Sequence, residues 1–264
     1  ILCTLCWWLS FYYHYFYFKK IHSFRELNHQ PIFPPVTVLI CARNEAQNLS
    51  EHLGSILEQK YSNFEVLVVN HLSNDDSQQI LLAFQEKYTH LNIIEINETS
   101  SFLTGKRHAL FEGIKQSAHE IILCTDADCI PKSERWIEKM VQPFYDKKTA
   151  FVLGYSPYTF KEYNGLARII ESETNQTALL YLSYALRGRP FMGVGRNMAF
   201  KKSILTSAYW EKYRAFGFGD DDLMVQSFAN KENTHIVISK EAQTSSLGKT
   251  NINEWMIQKM RHLA

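Results

Sequence analysis

The sequence predicts an α/β domain built on a doubly wound, mostly parallel sheet with helices on both faces. The first half alternates between short β-branched runs and segments with helical spacing of apolar residues, which indicates successive strand-helix units. The chain has 264 residues, of which 45% are hydrophobic and 21% charged, enough to bury one large core. Polar residues follow the strand-like runs, and a doubly wound sheet binds its ligands at that edge.

The first element is an uncharged, aromatic-rich segment. Residues 1–20 form a transmembrane or interfacial helix, and at about 1.5 Å per residue the uncharged part spans roughly 27 Å. Lys19, Lys20 and Arg25 follow it, and by the positive-inside tendency they predict a membrane location with the catalytic domain facing the cytoplasm. No small-residue cleavage site of a removed signal peptide is visible, and because the chain begins with Ile1 we expect it to be a fragment.

Residues 21–35 are predicted to be a linker, and residues 36–128 the regular half of the domain. Four strands are predicted there, at 36–41, 64–69, 91–96 and 120–125. Helices are predicted between them, at 44–60, 78–88 and 106–117.

The pattern is looser in the second half, residues 129–252. Helices are predicted at 133–145, 164–186 and 223–229, with a strand at 150–155. Residues 253–264 form an amphipathic segment that we expect on the membrane side.

Charge and cysteine content exclude two classes of protein. The formal net charge is +1 and no basic stripe is visible, so no nucleic-acid partner is expected. Three of the five cysteines lie in or beside apolar strand-like runs, where a reduced thiol acts as a small hydrophobic group.

Two carboxylates on alternate residues end the fourth predicted strand. Asp126 and Asp128 could share a hard cation such as Mg²⁺ or Mn²⁺, which would bridge the phosphates of a nucleotide. A solvated turn before the next helix is the structural alternative. The ends of the neighbouring strands would deliver further polar groups to the same crevice. These are Arg43, Asn44, Glu45, His71 and Lys106.

A second acidic group, Asp220 to Asp222, places three carboxylates in one turn. Like-charge repulsion should raise the pKa of at least one of them, which suits a general base. Acidic residues in the first turn of a helix are the structural alternative, and both can hold at once.

Six segments, in order, resemble glycosyltransferase family 2, whose members have the GT-A nucleotide-sugar fold. They are VLICARNE at 38–45, FEVLVV at 64–69, GKRHAL at 105–110, DAD at 126–128, GRNMA at 195–199 and Asp220. QKMR at 258–261, followed by His262, resembles a Q-x-x-R-W motif of the membrane-embedded members. The resemblance covers roughly residues 35–262.

The resemblance implies an inverting transfer from a nucleotide-diphosphate sugar, UDP- or GDP-linked, to a carbohydrate or lipid-linked acceptor. It assigns residues 36–128 to binding of the nucleotide sugar and residues 129–252 to acceptor binding and catalysis. It implies Mg²⁺ or Mn²⁺ on Asp126 and Asp128, and Asp220 or Asp221 as the catalytic base. The donor-binding residues would be Ala42, Arg43, Asn44, Glu45, His71, Lys106 and Asp126. The acceptor or diphosphate side would hold Asn197, Gln258 and Arg261.

The sequence departs from the family pattern at Asn70 and His71, where two aspartates are usual, so it does not specify uracil. Two alternatives remain at this point. A haloacid dehalogenase-like phosphatase also uses D-x-D after a buried strand, although there the motif opens the domain. A membrane-bound scaffold that has lost donor binding is the other.

Overall fold

The structure, a computed structural model, describes residues 2–26, 33–100, 102–103, 105–214 and 219–263. Helix α1 (Leu2–Ser23) comes first and is followed, after the linker, by the domain itself. Part of the predicted linker, residues 27–32, lies outside the described ranges.

The first half of the domain is the predicted alternation of strands and helices. Its elements are β1 (Val36–Ala42), α2 (Ala46–Leu57), β2 (Phe64–His71), α3 (Ser77–Gln85), β3 (Leu91–Ile96), α4 (Gly105–Gln116) and β4 (Ile121–Asp126). Strands β1, β2 and β4 are mostly apolar runs rich in β-branched residues and are buried on both faces, as expected for a parallel sheet covered by helices. The edge strand β3 is mostly half-buried or exposed.

The second half adds shorter elements. They are β5 (Cys129–Pro131), α5 (Trp136–Val141), β6 (Phe151–Gly154), β7 (Tyr158–Thr159), α6 (Gly165–Leu186), β8 (Met198–Lys201), α7 (Ser207–Lys212), α8 (Asp220–Phe228), β9 (Thr234–Val237), β10 (Thr244–Leu247) and α9 (Ile252–Leu263). The predicted helix at 133–145 is shorter than expected, because a 3₁₀ turn, Gln142–Tyr145, with Pro143 replaces its last part.

The described strands form a seven-stranded sheet in the order β3-β2-β1-β4-β8-β6-β9. The first four are parallel, with Val38 opposite both Val66 and Leu123. Strand β8 runs antiparallel to β4 and β6, and β9 is parallel to β6. The predicted α/β fold with a mostly parallel, helix-flanked sheet is therefore confirmed, and this sheet is continuous across the predicted boundary at residue 128.

A three-stranded sheet, β5-β10-β7, stands beside the large one. Strand β10 is antiparallel to β5 and parallel to β7. The sequence did not predict this sheet, because its strands have two to four residues and no clear alternation. It matters for the site, since β5 follows Asp128 directly.

The core lies on both faces of the large sheet. Even-numbered residues of β1 pack with α2 on one face, while Leu39 packs with α4 and α6 on the other. Because successive strand residues point to opposite faces, the last residues of β1, β2 and β4 deliver side chains to either side of the same edge.

Helix α1 exists, but the predicted spanning segment is not supported. Among the residues that the structure describes, no helix is both long and apolar enough to cross a bilayer. The physical reason in α1 is its content of tyrosine, His14, Ser10 and Thr4, which lowers the mean hydropathy of an otherwise uncharged segment. The helix packs against α6 near its C-terminal end, where the rings of Tyr17 and Tyr184 stack with centroids 4.7 Å apart.

Candidate functional site

A cleft of about 280 Å³ lies at the carboxyl ends of β1, β2 and β4. Six of the seven predicted donor-binding residues line it together with the second carboxylate of the D-x-D pair. The lining residues are Cys41, Ala42, Arg43, Glu45, His71, Gly105, Lys106, Ala109, Asp126, Ala127 and Asp128. Parallel strands end at one edge of the sheet, so Cys41 and Asp126, which are 85 positions apart in the sequence, meet there.

Asn44 is not among the residues that line the cleft, because it holds the loop after β1 against the loop after β2. Its φ of 56° lies in the left-handed region, which Asn tolerates better than most residues. Its backbone N–H donates to the hydroxyl of Ser73 at 2.9 Å, and its side-chain oxygen accepts from the N–H of Asn74 at 2.9 Å. The next residue, Glu45, is fixed likewise, since its N–H donates to Ser77 at 3.0 Å.

The carboxylate of Asp126 is paired with Lys106. Lys106 Nζ donates to Asp126 Oδ1 at 2.6 Å, and both side chains are partly exposed to the cleft. Burial opposes the charge of Asp126, but Lys106, and to a smaller extent Arg196, outweigh it and lower the pKa of the carboxyl. Asp126 is therefore ionised at neutral pH, with a cation beside it that could also meet a phosphate.

Asp128 has a different environment. The thiol of Cys129 donates to its Oδ1 at 3.5 Å, and burial together with the charge of Asp126 raises its pKa. A carboxylate that burial and a like charge destabilise gains from a bound cation.

The residues present fit a divalent cation that is shared with a ligand. Within the described ranges, no group of three or more His, Cys, Asp or Glu side chains could hold a metal ion alone. Asp126 and Asp128 supply two hard oxygen ligands, and Mg²⁺-type sites with one or two carboxylates are completed by substrate phosphates and water.

His71 ends β2 and is 4% exposed, with its ring 5.4 Å from that of His108 in a T-shaped contact. Its Nε2 is buried and has no hydrogen-bond partner in the described part of the chain. Burial, with His108 and Arg43, lowers its pKa, so the ring facing the cleft is neutral at pH 7. A neutral imidazole replaces the carboxylate that the family pattern has here.

The acidic turn is the first turn of α8, and its three carboxylates have three different partners. Asp220 is 8% exposed and forms an ion pair with Arg107, which is 1% exposed. Arg107 Nε donates to Asp220 Oδ1, and its Nη1 donates to the carbonyl oxygen of Tyr213. Asp220 thus fixes α8 to α4 from inside the protein and is poorly placed to receive a proton from an acceptor.

Asp221 is held by a backbone N–H instead. Its Oδ2 accepts from the N–H of Gly195 at 2.7 Å. Burial raises the pKa of Asp221 to about 6, with Lys106 opposing this shift and the charges of Asp220 and Asp126 adding to it. Because β8 pairs with β4, Gly195 and the Asp221 carboxylate that it holds lie beside the end of β4 that carries Asp126.

The third carboxylate is held by the Gly-rich loop. Asp222 Oδ1 accepts from the N–H of Gly193 at 3.3 Å, and burial raises its pKa.

Asn197 corrects one prediction. It is fully buried, its Nδ2 donates to the carbonyl oxygens of Tyr155 and Ala242 at 2.9 Å each, and its Oδ1 accepts from Trp136 Nε1 at 2.9 Å. An amide engaged on both sides and shielded from solvent cannot also contact an acceptor. Asn197 therefore ties β8 to α5 and to the end of β6, a structural role.

The terminal helix α9 brings Gln258 towards the small sheet. Gln258 Nε2 donates to the hydroxyl of Tyr158 at 3.0 Å, and Lys259 pairs with Glu173 of α6 at 2.5 Å. The side chain of Arg261, predicted on the diphosphate side, lies outside what the structure describes.

Two arginines of the site were not predicted from the sequence. Arg107 lies in GKRHAL and Arg196 in GRNMA, so both were inside quoted motifs but at positions that the motifs leave open. Only the fold shows that Arg107 is buried in an ion pair with Asp220. It also shows that Arg196 lies next to Gly195, whose N–H contacts Asp221.

Comparison with known proteins gives a family over most of the domain. A model described as glycosyl transferase family 2 matches residues 37–207.

Curated relatives match over part of their length. A poly-beta-1,6-N-acetyl-D-glucosamine synthase from Staphylococcus epidermidis is 30% identical over 122 residues, which cover 44% of this chain and 28% of the relative. Glycosyltransferase AglE from Haloferax volcanii is 32% identical over 144 residues, covering 54% and 46%. The chain thus spans less than half the length of either relative.

Solved structures share the fold. Mannosyltransferase PcManGT from Pyrobaculum calidifontis, in complex with GDP-Man and Mn²⁺, superposes with a TM-score of 0.66 at 20% identity, over 94% of this chain and 68% of that one. Glucosyl-3-phosphoglycerate synthase from Mycobacterium tuberculosis, with Mn²⁺, uridine-diphosphate-glucose and phosphoglyceric acid, gives 0.56 at 16% identity, over 84% and 74%. These likenesses confirm a GT-A-like fold.

Proposed function

The chain belongs to glycosyl transferase family 2, and from this premise we propose that it is the catalytic region of an inverting, metal-dependent glycosyltransferase. It transfers a sugar from a nucleotide-diphosphate sugar to an acceptor hydroxyl. One observation carries the proposal: Asp126, Asp128 and Lys106 line one cleft, and the loop that holds Asp221 through Gly195 leads into β8, which pairs with β4 beside them. Family membership leaves no support for the haloacid dehalogenase-like phosphatase.

The donor is a UDP- or GDP-sugar. Support comes from the related structures, which hold GDP-Man or uridine-diphosphate-glucose with Mn²⁺. The base and ribose would lie along Ala42, Arg43 and Glu45 and against His71, with Asn44 shaping the loop. A neutral imidazole offers one donor or one acceptor to a base edge, whereas a carboxylate offers acceptors only.

Asp126 and Asp128 would hold Mg²⁺ or Mn²⁺ against the diphosphate. When bound, the cation supplies charge neutralisation of the departing diphosphate. Lys106, already 2.6 Å from Asp126, is positioned to contact a phosphate oxygen beside it.

Asp221 is the base in this proposal. It accepts the proton of the acceptor hydroxyl while the hydroxyl oxygen forms a bond to the anomeric carbon. The bond from that carbon to the phosphate oxygen breaks, and its electron pair stays with the diphosphate, so one displacement inverts the anomeric centre. A carboxylate with a pKa of about 6 is ionised at neutral pH and still basic enough to assist. The Arg107–Asp220 pair positions the first turn of α8.

A membrane setting is the second part of the proposal, with a carbohydrate or lipid-linked acceptor. It is supported by the exposed apolar side chains of α1, where Trp7 and Trp8 are 63% and 61% exposed, and by those of α9. Such helices can lie in the lipid interface without crossing it. The assignment of Gln258 and Arg261 to the acceptor or diphosphate side stays a prediction. The cytoplasmic orientation was inferred for a spanning helix and stays a prediction.

Lipid binding is tested by co-sedimentation with vesicles that contain anionic lipid. A Trp7→Gln, Trp8→Gln, Phe11→Gln variant should remain in the supernatant, whereas the wild type should pellet. Equal behaviour of the two proteins would refute the role of α1.

The activity is tested by a screen of UDP- and GDP-sugars for hydrolysis with and without Mn²⁺, using the wild type and Asp128→Ala. We expect Mn²⁺-dependent release of the nucleoside diphosphate that Asp128→Ala reduces by about 10³ or more. Exposed Glu134, paired on the surface with Lys60, provides the control Glu134→Gln. If the wild type neither turns over nor binds any of these nucleotides, the remaining alternative, a scaffold that has lost donor binding, is correct.

A further inference from the structure

The loop Gly195–Asn197 connects the two acidic groups of the cleft. Strand β8 is antiparallel to β4, with Met198 opposite Cys124, so the residues just before β8 lie beside the end of β4. Gly195 donates to Asp221, and Asn197 is locked in the core. The contacts of Gly195 and Asn197 do not explain the side chain of Arg196, which lies between them in the sequence.

The backbone of Arg196 is fixed from two sides. Its carbonyl oxygen accepts from the hydroxyl of Thr125 at 3.1 Å and from that of Thr244 at 3.0 Å. Thr125 precedes Asp126 and Thr244 begins β10. The residue is therefore bound to the metal-side strand and to the small sheet.

The side chain is held as firmly. The guanidinium carbon lies 4.3 Å from the centroid of the Tyr158 ring, a cation–π contact, and Nη1 donates to the hydroxyl of Ser246 at 3.0 Å. Tyr158 belongs to β7 and Ser246 to β10, so the three-stranded sheet forms a cradle for this one group. Holding an arginine in one geometry removes the entropic cost of ordering it when a ligand binds.

The charge of Arg196 is not neutralised by contact. It forms no ion pair with a carboxylate of the described residues, yet it acts on both Asp126 and Asp128 and opposes the burial of each charge. Guanidinium has five N–H donors in a planar fork that matches phosphate oxygens, and only one of them is engaged with Ser246.

We propose that Arg196 binds the diphosphate of the donor and stabilises the negative charge that the terminal phosphate gains as the sugar leaves. This inference rests on the proposed function. Arg196 would be a second cation for the diphosphate, in addition to Lys106. The electron pair of the broken bond stays on the phosphate oxygen, the acceptor's proton goes to Asp221, and Arg196 keeps its own protons throughout. Tyr158 and Ser246 are positioning residues.

The terminal helix takes part through Tyr158. Because Gln258 donates to the hydroxyl of Tyr158 at 3.0 Å, α9 steadies the ring on which Arg196 stacks. The role of Gln258 is thus indirect, through the cradle.

The test compares nucleoside diphosphates with monophosphates. The affinities of GDP, GMP, UDP and UMP are measured by titration calorimetry with Mn²⁺ for the wild type, Arg196→Ala and Arg196→Lys. We expect Arg196→Ala to lower the affinity for the tighter-binding diphosphate by about 10- to 100-fold, because a charge-assisted hydrogen-bonded pair is lost. The affinity for the monophosphate should stay within about twofold of the wild type. Arg196→Lys should fall between.

A matched control is Arg168→Ala. Arg168 also stacks on a tyrosine, with its guanidinium carbon 5.8 Å from the centroid of the Tyr163 ring, but it is exposed on α6. The Arg168→Ala variant should bind nucleoside diphosphates and monophosphates with the same affinities as the wild type.

The outcomes separate this inference from the proposed function. A wild type that binds neither diphosphate overturns both. A wild type that binds a diphosphate which Arg196→Ala binds equally well overturns the inference alone. Equal losses for diphosphate and monophosphate also overturn it, because the effect would then lie elsewhere in the site.

The cradle is tested by two variants of Tyr158. Tyr158→Phe keeps the ring under Arg196 and removes the hydroxyl that Gln258 contacts, whereas Tyr158→Leu removes the ring. Diphosphate affinity should fall about 3- to 10-fold in Tyr158→Leu and less than that in Tyr158→Phe, with both variants folded by circular dichroism. Equal affinity in Tyr158→Leu and the wild type contradicts the cradle.

Discussion

The two acidic groups of the cleft meet the same difficulty, like charges held close together away from water, in different ways. At the end of β4, Asp126 is paired with Lys106. Asp128 has a raised pKa, and within the described ranges its carboxylate accepts only from the weak thiol donor of Cys129. In the first turn of α8, Asp220, Asp221 and Asp222 are distributed among Arg107, Gly195 and Gly193. One group leaves oxygen atoms for a ligand, and the other is tied to the protein.

This difference separates binding from positioning. An incompletely paired carboxylate at an open cleft gains free energy when a cation binds, so it serves a ligand. A carboxylate buried against an arginine loses free energy when either partner is removed, so it serves the fold. Asp221 lies between these extremes, because a backbone N–H holds it while burial raises its pKa.

The largest expected effect is on Asp221. Asp221→Asn should lower turnover by about 10² to 10⁴ while donor binding is kept, because only the proton acceptor is lost. Steady-state kinetics with calorimetric titration of the nucleoside diphosphate measures both. Full activity in this variant would remove Asp221 from the chemistry and break the comparison at its centre.

The second effect is on stability rather than chemistry. Asp220→Asn leaves the buried Arg107 guanidinium without a counter-charge, which should cost about 3–5 kcal/mol of unfolding free energy in urea titrations. The paired variant Arg107→Met, Asp220→Leu removes both charges and should recover most of that loss. If the paired variant is stable but inactive, Asp220 does more than position α8.

A smaller effect is expected from Gly195. A Cβ added there would lie 2.5 Å from Asp221 Oδ2, so Gly195→Ala must push the carboxylate aside. We expect a loss of about 1–3 kcal/mol in transition-state stabilisation, read as a lower kcat/KM. Gly165→Ala, where a Cβ meets no atom within 4 Å, is the control. Equal kinetics in both variants would show that Asp221 does not depend on the loop.

The smallest effect is the pH dependence that follows from the raised pKa of Asp221. Because the base must be ionised, kcat/KM should fall about tenfold per pH unit below pH 6, and this acid limb should vanish in Asp221→Asn. Since the folded pKa lies above the ordinary aspartate value, ionisation disfavours the folded state. The free energy of unfolding of the wild type, relative to that of Asp221→Asn, should therefore be highest near pH 4. It should decrease as the pH rises through 6. If the acid limb of kcat/KM persists in Asp221→Asn, it belongs to the titration of another group.

Sequence reasoning succeeded where the information is local. The strands at 36–41, 64–69, 91–96 and 120–125 were predicted within one or two residues, because each is a short apolar run closed by polar residues. Asp126, Lys106 and His71 were brought to one crevice by the rule for parallel strands. The second half was predicted less well, because its strands of two to four residues owe their pairing to distant partners.

Which polar residue does what could not be predicted from the sequence. Asn197 and Arg196 are neighbours in one motif, yet the first is sealed in the core and the second is stacked on Tyr158 beside the carboxylates. Adjacent residues in such a loop point in different directions, and nothing in the motif says which faces the cleft.

By itself, the sequence determined the parallel half of the sheet, the carboxylate pair at its edge and the family, because hydrophobic period and strand-end polarity act over a few residues. The tertiary structure decided that Asp220 is paired with Arg107, that Asp221 is held by Gly195 and that Arg196 is cradled by a second sheet. These are contacts between residues 26 to 113 positions apart, and a carboxylate's role depends on the charge and burial that such contacts impose.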